Sequence, residues 1–229
     1  MDAELFPRSR TEVVTGAVHV PDWLDEGRQL RLLEACREWA RPPAGLRTVH
    51  TPGGGTMTSR QVCLGLHWYP YGYARTVVDG DGAPVKPLPE WLAALGSEAA
   101  GTALGAAAVP REPYDIALIN FYDADAHMGM HRDIDEKSGA PVVSLSLGDS
   151  CVFRFGNTET RARPYTDVEL RSGDLFVFGG PARFAYHGVP RVRPGTAPSG
   201  LRLTGRLNIT LRVSGLRSDR ERIMGDSPS

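Results

Sequence analysis

The chain is 229 residues long, 41% hydrophobic and 23% charged, with a net charge of −1; this suits one catalytic core with a smaller attached region and excludes a polybasic nucleic-acid binder. It has no apolar run of about 18 residues and no basic-then-apolar start, so neither a membrane span nor a secretory leader is expected, and a cytoplasmic location is. Cys36, Cys63 and Cys151 are odd in number, far apart and without CxxC spacing, which excludes a disulfide framework and a cysteine zinc site and leaves reduced thiols.

In chain order, Leu24, Leu32, Leu33, Cys36, Trp39 and Ala40 recur at helical spacing. They predict an amphipathic helix over 22–39, with Asp22 as N-cap and Pro42-Pro43 as its stop. From Val49 to Val85 the chain is rich in Gly, Pro, Tyr and His, and TPGGGTM, LHWYPYGY and VDGDGAPV punctuate short strand-like pieces, a pattern of hairpins and exposed loops. The PGGG stretch lacks the GK[ST] and the following helix of a phosphate loop, so it reads as a hairpin turn. An alanine-rich helix is predicted over 89–107, packed on the back of a sheet. From Tyr114 to Val213 the pattern changes to short alternating strands, DIALINFY, PVVSLSLG, CVFRFG, DLFVFGG and RLNITLRV. Strands of this length and spacing favour a sandwich or a double-stranded β-helix of the jelly-roll and cupin type. The segment after Val213 is polar and reads as a frayed tail.

His131 and Asp133 stand two apart in HMGMHRDID, so in an extended segment both project to one side. His187 follows in RFAYHGVP. Two histidines and one carboxylate form a facial set that holds Fe(II) on one side and leaves the other open to oxygen chemistry; a zinc protease would show HExxH instead. The alternative is a surface His/Asp pair and an ordinary loop histidine. In RLNITLR, Arg206, Asn208, Thr210 and Arg212 share one face of a strand while Leu207, Ile209 and Leu211 take the other. On a solvent face that is a routine amphipathic strand; inside a barrel mouth the two guanidiniums suit a dicarboxylate. Asn120 and Tyr122 in IALINFY offer an amide and a phenol to the same carboxylates, or are satisfied core polar groups.

These segments, NFYDADAHMGMHRDIDE, PVVSLSLGDSCVFRFG, SGDLFVFGGPARFAYHGVP and RLNITLR, closely resemble the catalytic core of the AlkB family of Fe(II)- and 2-oxoglutarate-dependent alkylation-repair dioxygenases. VHTPGGGTMT and LHWYPYGY look like that family's nucleotide-recognition lid. The resemblance implies a mixed α+β fold: a double-stranded β-helix (jelly-roll) core over 114–213, N-terminal helices and a β-hairpin lid within 1–113 (the lid about 46–85), and a flexible tail over 214–229. It implies that His131, Asp133 and His187 bind iron and carry catalysis. Asn120, Tyr122, Arg206, Asn208 and Arg212 would hold 2-oxoglutarate, Arg206 at the distal carboxylate and Arg212 nearer the metal. It also implies that Trp68 stacks on the flipped base, that Tyr73 contacts the substrate strand, that Asp135 contacts the base, and that Arg161 (or Arg154 or Arg163) contacts the substrate. For Trp68 a buried hairpin tryptophan is the alternative, and for Asp135 a solvated acidic turn. The stretch between Trp68 and Tyr73 is shorter than the family's pattern, and Arg75 stands where an aromatic belongs.

The implied reaction is oxidative demethylation of 1-methyladenine or 3-methylcytosine in single- or double-stranded DNA, or in RNA. 2-Oxoglutarate and O2 would become succinate and CO2, and formaldehyde would be released. A monomer with no membrane association and no obligate protein partner is expected. Two competing assignments are the same iron chemistry on RNA or a protein side chain, and a cupin-like metal-binding module without catalysis. The second gives Arg206 and Arg212 no reason to share a face.

Overall fold

In the computed structural model, which describes residues 7–51, 53–70 and 72–216, the alternating segments form strands and the apolar-periodic ones helices. In chain order these are β1 (Thr11–Val14), β2 (Ala17–Val20), α1 (Glu26–Trp39), β3 (Arg47–His50), β4 (Thr56–Leu64), β5 (His67–Tyr69), β6 (Gly72–Ala74), α2 (Glu90–Leu104), β7 (Ile116–Tyr122), β8 (Met128–His131), β9 (Val142–Gly148), β10 (Ser150–Phe155), β11 (Thr166–Leu170), β12 (Leu175–Phe178), β13 (His187–Arg193) and β14 (Arg206–Arg212). An eight-stranded sheet runs β1-β2-β12-β9-β14-β7-β4-β3, a four-stranded sheet runs β11-β10-β13-β8, and β5-β6 pair only with each other. No helix among the described residues is long and apolar enough to cross a membrane.

The alternation of β14 sets the layers. Leu207, Ile209 and Leu211 join Val143, Leu145 and Leu147 of β9 and pack against Leu32 and Leu33 of α1 and Leu92, Ala99 and Ala103 of α2. Each such aliphatic side chain contributes about 1.5–3 kcal/mol. A one-residue slip of β14 would lose that row and drive two arginines into the helix layer, so the register is strongly specified. The opposite face of the large sheet meets the small one through aromatic contacts, with Phe153 and Phe155 of β10 lying 4.9 and 5.2 Å from Phe176 of β12. Two antiparallel sheets face to face, with helices covering one back, form the jelly-roll arrangement.

Four features differ from the sequence expectations. Asp25, not Asp22, caps α1, accepting from the Arg28 N–H at 2.7 Å; Asp22 sits at φ 53° and binds Arg8. The segment before α1 adds two strands to the large sheet. Its turn needs Gly16, at φ 85° and so close to the Gly179 carbonyl that a Cβ would lie 2.5 Å from that oxygen. Within the span expected as a lid, β4 pairs with β7 and belongs to the large sheet, because Val62, Cys63 and Leu64 are buried there; only β5-β6 stands apart. Ser214, assigned to a flexible tail, is fully buried and donates to Asp115 from its N–H and hydroxyl at 2.7 and 2.6 Å. The rest of that tail, from residue 217, lies outside the described residues. Thr51 and Gly55 close the β3-β4 hairpin, the Thr51 N–H donating to the Gly55 carbonyl at 2.8 Å.

Candidate active site

His131 ends β8 and His187 begins β13, and the pairing of these strands sets the two residues opposite each other, ring centroids 4.5 Å apart. The close approach needs Gly188, where a Cβ would lie 2.7 Å from the Met128 carbonyl oxygen. Each imidazole turns Nδ1 to a carbonyl two residues back, His131 to Gly129 and His187 to Ala185, both at 3.0 Å. With Nδ1 donating, each Nε2 presents its lone pair toward Asp133. Nε2 of His131 is 3.7 Å from Asp133 Oδ1, and Nε2 of His187 is 3.7 Å from Oδ2. These distances are too long for hydrogen bonds, and all three ligand atoms lie within 4.8 Å of one another. Asp133 Oδ2 is buried with no hydrogen-bond partner, as expected of an atom turned toward a cation.

The electrostatics suit a divalent metal. Burial, reinforced by His131, lowers the His187 pKa to about 4 and keeps that ligand neutral. Burial opposes ionisation of Asp133, but Arg212, His187 and His131 outweigh it and hold its pKa at about 2. Two imidazoles and a carboxylate, with nitrogen lone pairs converging, fit Fe(II).

A cavity beside the triad is lined by Asn120, Tyr122, Arg206, Asn208 and Arg212 as well as by His131 and His187. Arg206 is 1% exposed. It donates to the Ser146 hydroxyl at 3.0 Å and to the Asp149 carbonyl at 3.4 Å, its Nε has no partner, and no carboxylate pairs with it among the described residues. A buried guanidinium without a counter-ion calls for an anion. The Tyr122 hydroxyl, fully buried, meets only the Met128 sulfur at 3.7 Å, and Asn120 takes a hydrogen bond from Gln61 on its oxygen, leaving its NH2 as a donor. These groups fit a carboxylate of 2-oxoglutarate. Arg212 instead grips Asp133 Oδ1 at 2.7 Å and Glu136 Oε1 at 2.9 Å, beside the triad. Asn208 lies on the cavity wall with the other expected residues, its amide donating to Ser144 at 2.7 Å and accepting from Thr210 at 2.8 Å.

The triad opens outward into a cavity of about 470 Å³ bounded by Trp68, Asp135, Arg132, Arg161 and Tyr186. Trp68 packs one edge on Cys63, Ile116 and Leu118 and donates its indole N–H to Asp135 at 2.7 Å. Its carbonyl accepts from Arg47 at 2.6 Å, and Arg47 and His67 both grip Asp79, at 2.8 and 2.6 Å. Arg132 and Arg161 lie over the Tyr186 ring, 4.8 and 5.9 Å from its centroid, and neither has a carboxylate partner among the described residues. Arg154 is bound to Asp167 through two hydrogen bonds and Arg163 lies over Tyr165, both away from this mouth.

Tyr73 is not among the residues bounding the mouth: its hydroxyl is tied to Glu136 and lies 3.4 Å from Arg212. Four further residues escaped sequence analysis. Glu136 looked like part of a solvated DIDE turn, yet its side chain is fully buried; burial opposes its ionisation, but Arg212 prevails and lowers its pKa. Arg183, 2% exposed, binds the Asp133 carbonyl and Glu136. Arg132 and Tyr186 neighbour the triad histidines in sequence, the one signal that could have flagged them.

A model of the 2OG-Fe(II) oxygenase superfamily matches residues 16–212. An AlkB homologue of Caulobacter vibrioides, named an alpha-ketoglutarate-dependent dioxygenase, is 38% identical over 207 residues, covering 87% of this chain and 88% of that protein. ALKBH1D of Arabidopsis thaliana, named a DNA N(6)-methyladenine demethylase, is 32% identical over 217 residues; that match takes in 86% of this chain but only 49% of the plant protein, so the chain spans about half its length. The solved structure of OsALKBH1 superposes with a TM-score of 0.78 at 31% identity, over 89% of this chain and 99% of that one. A superfamily match running from the turn before β2 to the last arginine of β14, and likeness in both sequence and fold to proteins carrying the AlkB name, agree with the triad and its anion pocket: the chain belongs to the AlkB family of Fe(II)- and 2-oxoglutarate-dependent oxygenases.

Proposed function

We propose that the chain removes methyl groups from the ring nitrogens of 1-methyladenine and 3-methylcytosine in DNA or RNA, releasing formaldehyde. The observation that carries this is the mouth itself: an aromatic plane, Trp68, locked to a carboxylate, Asp135, across an opening of about 470 Å³ that ends at His131 and Asp133. Methylation at these positions leaves the base cationic and unable to pair. Trp68 offers such a ring its π face, and Asp135 offers it negative charge. A base that has lost its pairing also costs less to flip out of the stack. Arg132 and Arg161, with no carboxylate partner among the described residues and held by Tyr186, would meet the flanking phosphates.

His131, Asp133 and His187 would hold the iron. Arg206, Tyr122 and Asn120 would take one carboxylate of 2-oxoglutarate, with Arg212 beside the metal carboxylate. Bound together, iron and 2-oxoglutarate supply the O2-dependent oxidation of the N-bound methyl carbon. The protein's part is positional: Nδ1 anchoring keeps both imidazoles aimed, and Arg212 keeps Asp133 ionised and oriented. The resulting N-hydroxymethyl group breaks down to formaldehyde and the unmodified base. The chain is proposed to act as a cytoplasmic monomer.

The test is anaerobic loading with Fe(II) and 2-oxoglutarate, then air, with single-stranded DNA or RNA oligonucleotides carrying 1-methyladenine, and His131→Ala as control. Formaldehyde and methyl loss in the wild type only are expected. Consumption of 2-oxoglutarate with no methyl loss from either oligonucleotide would overturn the substrate assignment.

A further inference from the structure

Trp68 and Tyr73 face each other across the β5-β6 hairpin. Each sends one hydrogen bond to a neighbouring pair of residues just past the metal-ligand position: the Trp68 indole to Asp135 and the Tyr73 hydroxyl to Glu136. The second bond reaches the iron site. Glu136 Oε1, which meets Tyr73, is 2.9 Å from Arg212 Nη1, and Arg212 Nη2 is 2.7 Å from Asp133 Oδ1. Glu136 Oε2 is 3.1 Å from Arg183 Nη2, and Arg183 Nη1 donates to the backbone carbonyl of Asp133 at 2.8 Å. Glu136 is thus joined to Asp133 by two routes, one through a side chain and one through the main chain.

The four charged groups, Asp133, Glu136, Arg183 and Arg212, are all buried and balance two against two. Within such a set a change at one member is felt by the others, because screening is weak and no water can substitute. A divalent cation at Asp133 would compete with Arg212 for that carboxylate and would favour the Arg212 contact with Glu136, whose Oε1 is the atom that Tyr73 holds. The hairpin has no strand partner outside itself, so these side-chain bonds, with that of Arg47, carry much of its attachment.

We propose that Glu136 is a positioning residue which, with Tyr73, forms a latch: occupation of the iron and 2-oxoglutarate site tightens the β5-β6 hairpin, and so holds Trp68 over the mouth before a base arrives. The proposal rests on the cofactor assignment above but on no nucleic-acid substrate.

Hydrogen exchange of the amides in His67–Tyr69 and Gly72–Ala74, measured anaerobically with and without Fe(II) and 2-oxoglutarate, tests it. Loading should slow exchange in the wild type by roughly fivefold, the effect of one net hydrogen bond. Tyr73→Phe, which keeps the ring and its packing, should abolish that slowing, and so should Glu136→Gln; where the buried Glu136 variant does not fold, Tyr73→Phe decides alone. A purely structural role for Tyr73 would speed exchange equally in loaded and unloaded protein and leave the loading response intact, which overturns the latch. No slowing in the wild type overturns it as well. Loading is followed in the same samples by the visible absorption of the Fe(II)–2-oxoglutarate chelate. Absorption without protection overturns the latch alone, and absence of absorption overturns the cofactor assignment with it. Failure to demethylate an oligonucleotide would overturn the substrate assignment and leave the exchange result standing.

Discussion

The inner cavity and the mouth are adjacent, but they are held by different means. Around the inner cavity, His131, His187, Arg206 and Arg212 sit on strands paired within the two main sheets, and Arg206 lies on β14, flanked by β7 and β9. At the mouth, Trp68 and Tyr73 stand on two three-residue strands that pair only with each other and are fastened by side chains. Strands paired into a larger sheet hold their backbone more firmly than a small isolated hairpin, which can open and close at less cost. The inner cavity is therefore the firmer of the two regions, and substitutions in the two should fail in different ways.

The largest effect is expected from Arg206→Leu. If Arg206 exists to bind an anion, the KM for 2-oxoglutarate should rise roughly 30- to 1000-fold, the loss of about 2–4 kcal/mol for one partner of a buried charge-assisted contact. The melting temperature of the unloaded protein should hold or rise, since an unpaired buried charge has been removed. A lower melting temperature with an unchanged KM would make Arg206 a structural residue and remove the contrast. Trp68→Ala should weaken binding of a methylated single strand by about five- to 150-fold, the 1–3 kcal/mol of one base–aromatic stack, measured by fluorescence anisotropy. The KM for 2-oxoglutarate should change much less; equal effects on both would show that the mouth and the cavity are one unit.

A third prediction concerns the firmer side. Asp174, its side chain fully buried, accepts from Arg8 twice at 2.7 Å and from His19 at 2.9 Å. Burial opposes its ionisation, but these partners lower its pKa from 3.8 to about 2. The folded state thus holds its proton less readily than the unfolded chain, so the contribution is complete above about pH 4 and is lost as pH falls toward 2, about 2 kcal/mol in all. Denaturant melts of the wild type and Asp174→Asn across that range should converge at the acid end. The smallest effect belongs to the rim. Arg132→Ala and Arg161→Ala should each flatten the dependence of log affinity on log salt by about one unit, with a several-fold loss of affinity that is largest at low salt and shrinks as salt rises.

The catalytic layout was legible because its carriers are local patterns. HRD and RLNITLR each place their polar atoms through a two-residue repeat, and a two-residue repeat survives into the fold whenever the segment is extended. The strand segments between Ile116 and Arg212 emerged for the same reason. The first two strands were invisible because Thr11–Val20 carries a weak alternation, and its pairing to β12 is a long-range event. The network of Tyr73, Glu136 and Arg183 was missed because its meaning is mutual. A tyrosine in a Gly-rich hairpin, a glutamate in an acidic run and an arginine before an aromatic are each ordinary in one dimension.

The sequence alone determined the chemistry: two imidazoles and a carboxylate at metal spacing, two arginines on one strand face, and an aromatic hairpin before them. Only the tertiary structure decided what each charge faces. It buried Arg206 with no carboxylate partner among the described residues, gave Arg212 to Asp133 and Glu136, and tied Tyr73 to that network. The physical reason is that covalent spacing sets which side of a strand a group takes, while its electrostatic partners come from distant segments, Glu136 lying 76 residues from Arg212 and Arg8 lying 166 from Asp174.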